Sequence, residues 1–204
     1  MELGALPCYR PAVHDLRDPS VQRAQLKVDV RAGEPDWTPA RQELWRRITA
    51  HDFEPDTPFN FTQRLARDHG WSLDEARAAI EAYRRFCFLA MVSPTPVTPS
   101  EVVDEVWHQH LIYSRDYWTI WCGERLQSPL HHDPTPGGPD AQMTYRRQYA
   151  ETLALHERFF GPPSPDLWPA THIRFAGPRY FVADRRDWLT LPRPRAWLRR
   201  LLRR

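Results

Sequence analysis

The stretch from Ser72 to Ala90 commits the chain to a helical core. Ser72-Leu73-Asp74-Glu75 has the form of a capping box, in which serine and glutamate side chains each satisfy a backbone N–H at the start of a helix. Behind it, Ala76, Ala79, Ile80, Tyr83, Phe86, Cys87 and Ala90 fall on one side at helical spacing, with Asp74, Glu81, Arg84 and Arg85 opposite. A stripe of this width is stable only when other elements cover it.

The neighbours are signalled on both sides. Thr38-Pro39 offers an N-cap followed by proline at the first helical position, and Leu44, Trp45 and Ile48 continue a helical stripe to about Ala50. Phe59 to His69 reads as a short helix ended by Gly70. After a proline-rich linker at Ser93–Pro96, Thr98-Pro99-Ser100-Glu101 starts a helix expected to run to about Cys122. A loop at Pro136–Pro139 precedes the last long helix, roughly Asp140 to Phe160, closed by Gly161-Pro162. The expected fold is mainly α, a single helical domain of about five helices over residues 37–169. An irregular arm, 1–36, packs on it, and an extension, 170–204, follows. Within that extension Arg179-Tyr180-Phe181-Val182 reads as a short strand or extended piece.

Composition narrows the class. A chain of 204 residues with nine Trp, nine Phe and seven Tyr can build a substantial core of its own. Three cysteines, far apart and without a CxxC pair, argue against a disulfide framework and a cysteine-based zinc module, and point to a reducing compartment. No basic-then-apolar leader opens the chain, and no apolar run approaches the roughly 18–20 residues that span a bilayer, so a soluble cytoplasmic protein is expected.

The net charge of +2 conceals an asymmetry. Six arginines lie between Arg193 and Arg204; without them 22 basic residues face 26 acidic ones, a body of net −4. The tail, with Trp197, Leu198, Leu201 and Leu202 among its arginines, suits peripheral contact with an anionic surface or an acidic protein partner. An acidic body repels a long polyanion, which disfavours nucleic acid. No glycine-rich phosphate loop, G-x-S-x-G elbow or H-E-x-x-H occurs, which removes the commonest nucleotide, hydrolase and metalloprotease readings.

Histidines concentrate in two places, Asp104-Glu105-Val106-Trp107-His108-Gln109-His110 and Leu130-His131-His132-Asp133-Pro134-Thr135. On a regular helix His110 falls within the apolar arc of Val103, Val106, Trp107, Tyr113, Tyr117 and Trp121, whereas His108 lies at the edge of the polar face, one turn after Asp104. The two rings diverge by about 160° and cannot share one ion from a regular helix. His156 sits in a second apolar arc, with Tyr149, Thr152, Phe159 and Phe160.

Two readings stay open. In one, His110 and His156 meet His131 or His132 at a nitrogen-rich site for zinc or another first-row divalent metal, with Trp107, His110 and Tyr113 lining a place for a small polar ligand. In the other, the core histidines are satisfied by hydrogen bonds, the motif is structural, and the chain is a protein-interaction module working through its tail. Asp104 with His108 has the composition of an orienting carboxylate and a general base, and equally of a surface i,i+4 ion pair. Whether the protein is an enzyme is left undecided by these residues.

The run Val103–Leu111 around Trp107-His108-Gln109-His110-Leu111, with Tyr117-Trp118, Cys122 and the His131-His132-Asp133-Pro134-Thr135 loop, resembles the glycine-rich domain-containing protein-like family, most closely its short bacterial members. Tyr83-Arg84-Arg85-Phe86, Tyr149-x-x-Thr152 and Phe160-Gly161-x-Pro163-x-x-Asp166-x-Trp168 fit the same likeness, which covers about residues 59–169. The resemblance implies a helical domain and adds no established reaction. The chain departs from the longer plant-type members in lacking a glycine-rich extension, having eight Gly in all.

Overall fold

The structure, a computed structural model, describes residues 26–27, 37–134 and 137–176. Among these every regular element is helical: α1 (Pro39–Thr49), α2 (Phe61–His69), α3 (Leu73–Val92), α4 (Glu101–Ile112), a π-helical segment (Asp116–Leu126), α5 (Pro139–Phe160) and a last short turn, α6 (Thr171–Arg174). The mainly α architecture expected from the sequence is what forms, and described residues up to Arg174 belong to one compact unit. No helix among the described residues is long and apolar enough to cross a membrane. The Arg179–Val182 piece and the arginine-rich tail, with the contacts expected of it, lie outside the described residues. So does the arm before Trp37, apart from Leu26 and Lys27, whose carbonyls accept from the buried Arg41 guanidinium at 2.9 and 2.7 Å.

Local chemistry explains the helix ends. Ser72 and Glu75 form the capping box that opens α3, and Asn60 with Gln63 forms another that opens α2. Gly70 closes α2 at φ 66°, the left-handed conformation that glycine adopts without steric cost. Thr38 caps α1, with Pro39 at its first position.

α3 is the central element, in contact with α1, α2, α4, α5 and the π segment. Its stripe is buried as the spacing predicts, and the burial goes further: every residue from Phe86 to Val92 is buried. At the α1–α3–α5 contact Trp37 stacks on Phe88 at 5.1 Å, and Trp45, Phe159 and Phe160 complete the aromatic cluster. Phe88 and Phe159, the buried rings of the cluster, each contribute about 2–3 kcal/mol of apolar transfer.

Two expectations need correction. The cap of α4 falls on Ser100, whose hydroxyl accepts from Val103 N–H, two residues beyond Thr98. Thr98 is engaged elsewhere: its N–H donates to Thr152 Oγ1 and its hydroxyl to Gln148 Oε1, both on α5. The helix expected to run unbroken to Cys122 instead stops at Ile112, where Tyr113 leaves helical geometry at φ −80°, ψ 51°. Tyr113 is held from outside, its hydroxyl accepting from Arg64 Nε at 2.9 Å and its ring lying 5.3 Å from Phe61 on α2. The chain resumes as the wider π segment, closed by Gln127 at φ 53°.

Candidate functional site

The break at Tyr113 decides which residues meet. In a regular helix Asp116, six residues after His110, would point about 120° away from it. With the helix interrupted and rewound, Asp116 Oδ2 lies 2.8 Å from His110 Nε2. A third group arrives from the end of α1: His51 Nε2 is 3.2 Å from the same oxygen. His51 is fixed through its backbone, donating to Ile48 C=O and accepting from Arg84 Nη2 on α3. The walls are aromatic, with Phe53, Phe61, Tyr83, Tyr117 and Trp121 each 5.1–5.7 Å from the His110 ring.

Both histidines are buried and Asp116 is part-exposed, so the group opens to solvent on the carboxylate side. Burial works to raise the Asp116 carboxyl, but hydrogen bonds from His110 and His51, and then their charges, outweigh it and hold the group well below the usual carboxylate range. Burial pushes His110 down, against the pull of Asp116, so its neutral form is favoured. An ionised Asp116 only accepts; His110 therefore carries its proton on Nε2, and its Nδ1 accepts from the Tyr83 hydroxyl at 3.0 Å.

A second group forms on the other side of α4. Asp104 Oδ1 lies 2.8 Å from His132 Nε2, and Asp104 Oδ2 lies 3.9 Å from His108 Nδ1. His132 packs edge-on to Trp107 at 4.4 Å and beside His108 at 4.5 Å. The hydrogen bond to Asp104, acting against desolvation, raises His132 from the ordinary histidine value. Its loop is anchored by Tyr117, whose hydroxyl donates to Leu130 C=O and accepts from Trp107 Nε1 at 2.8 Å.

In each group the candidate ligand atoms lie within 4.8 Å of one another, and each could hold a metal ion. The histidines singled out in the sequence are thus distributed, not gathered. His108 and His110 join different groups, and His132 joins His108. His131 joins neither; it is exposed, 5.4 Å from the Trp118 ring. His156 also stands apart on α5, with Nδ1 3.1 Å from Gly161 C=O and its ring beside Phe160 and Trp168. Convergence of His110, His131, His132 and His156 is therefore corrected: α4 turns His110 inward and His108 outward, and the loop meets the outward face. Trp107 is a strut between Phe86, Tyr117 and His132, and Tyr113 is a hinge held by Arg64.

His51 and Asp116 escaped the sequence reading. His51 had a signal, because Leu44, Ile48 and His51 follow the i, i+4, i+7 spacing of one helical stripe. Asp116 had none, since its approach depends on the break. Comparison of the chain with protein-family models, with curated proteins and with solved structures gives no match in any of the three.

Proposed function

We propose that this is a metal-binding domain whose centre is His51, His110 and Asp116, holding one first-row divalent ion. The observation that carries the reading is the meeting of His51 Nε2, His110 Nε2 and Asp116 Oδ2 at 3.2 and 2.8 Å, produced by an interrupted helix and a π segment. π turns cost regularity and recur at functional sites. The donor set fits such an ion: two imidazole nitrogens and one carboxylate, which leave coordination positions open. With bound water, a zinc-like ion at such a site supplies a nucleophile near neutral pH or polarises a carbonyl.

The protein's own residues prepare for this. Tyr83 can serve His110 in either tautomer, donating to Nδ1 when Nε2 is protonated and accepting from Nδ1–H when Nε2 turns to a metal. Arg84 and Ile48 hold the His51 backbone, and the aromatic walls exclude water from both imidazoles. Asp116 faces solvent, the side from which a small polar ligand would enter. Membership in the glycine-rich domain-containing protein-like family is a companion proposal, supported by the motif residues around Trp107 and His132.

Elemental mass spectrometry on untagged native protein tests the centre. An ion at this centre, lost in His110→Ala and in the near-isosteric Asp116→Asn, is expected. Native protein that stays metal-free after dialysis against zinc would overturn the reading.

A further inference from the structure

Asp104, His108 and His132 share no ligand with the centre proposed above. We propose that they form a second divalent-cation site, open to solvent, that fastens the 130–134 loop to α4. The geometry of the three atoms is the first argument. Asp104 Oδ1 and His132 Nε2 are in direct contact at 2.8 Å, but Asp104 Oδ2 and His108 Nδ1, at 3.9 Å, are too far apart for a hydrogen bond. That gap is within the reach of one ion bonded to both at roughly 2.0–2.2 Å.

The second argument is positioning. His132 is not a free loop side chain: its ring is set by the edge of Trp107 at 4.4 Å, and its loop is fixed two residues earlier by the Tyr117 hydroxyl on Leu130 C=O. Asp104 and His108 are one turn apart on a regular helix, so their spacing is set by the backbone. Two segments distant in sequence therefore deliver three donors to one place, and an ion there would bridge them.

Two nitrogens and one oxygen favour zinc, copper or nickel over calcium and magnesium, which take oxygen ligands. His108 is half-exposed, in contrast to the buried imidazoles of His51 and His110. An ion at this surface site would exchange readily, and its loss would leave the loop on the Tyr117, Trp107 and Asp104 contacts without disturbing the core.

The test is equilibrium dialysis of the untagged full chain, first stripped with a chelator, against zinc, with bound zinc per chain measured by elemental mass spectrometry. Wild type is expected to hold two ions, and His108→Ala and His51→Ala one each. His108→Ala keeps the Asp104–His132 contact, so its helical circular dichroism without zinc should match wild type. Zinc should also slow amide exchange across residues 130–134 in wild type and in His51→Ala, but not in His108→Ala. Undiminished zinc in both His108→Ala and His132→Ala would overturn the surface site. Should wild type hold a single ion, its loss in His51→Ala would overturn the surface site, and its loss in His108→Ala would sustain it against the buried centre.

Discussion

His110 and Asp116 are six residues apart, yet Nε2 and Oδ2 sit at 2.8 Å, a contact that an unbroken helix forbids. The contact exists because Tyr113, held by Arg64, ends α4 at Ile112, ten residues short of Cys122. Asp116 Oδ2 then lies against two buried imidazoles at once, 2.8 Å from His110 and 3.2 Å from His51.

Asp116→Asn keeps the shape and removes the charge. Hydrogen bonds to charged groups contribute about 1.5–3 kcal/mol, and partial exposure places this loss at the low end. We expect a melting temperature lower by about 3–6 °C, with the helical signal preserved and the bound ion gone. Differential scanning calorimetry beside metal analysis checks both.

Tyr83→Phe retains the stack on Trp121 at 5.5 Å and removes the hydroxyl that meets His110 Nδ1. Loss of such an outer partner typically weakens metal affinity about 10–100-fold. Competition against a chromophoric chelator measures it; an affinity equal to wild type would show that Tyr83 does not orient His110.

Tyr117→Phe strips a buried donor from Leu130 C=O and a buried acceptor from Trp107 Nε1. An unsatisfied buried group costs about 1–3 kcal/mol, so a destabilisation of about 2–4 kcal/mol is expected. Hydrogen exchange should quicken across residues 128–134 more than in α5.

The metal-free protein should lose stability on both sides of neutrality, by opposite mechanisms. His132, raised by Asp104, contributes stability that is full below its unfolded value and lost as pH rises through its folded one. His110 and Asp116, both lowered, contribute stability that is full above their unfolded values and lost as pH falls through their folded ones. Denaturant titrations from pH 2 to 8.5 check this, His110 acting below its ordinary value and Asp116 only below about pH 4. Asp104→Asn should flatten the alkaline side alone.

Much of the scaffold was legible because its causes are local. The Ser72–Glu75 box, the glycine after His69 and the stripe from Ala76 to Ala90 act through neighbours in sequence, and each does in the structure what its spacing predicts. The opposite directions of His108 and His110 were legible for the same reason. The cap at Ser100 was not, because Thr98 is drawn away by Thr152 and Gln148, some fifty residues on. Nor was the break at Tyr113, which no glycine or proline announces; its cause is an arginine on another helix. Asp116 could not be paired with His110 without that break, so His110 alone of the three was visible in the sequence.

α4 carries His108 to one group and His110 to the other, two residues apart on a single rigid rod. The two groups are in effect geared. Rolling α4 about its axis would move both imidazoles together. An insertion between these two histidines would turn one imidazole by about 100° relative to the other, so that both groups could not be complete on the same helix.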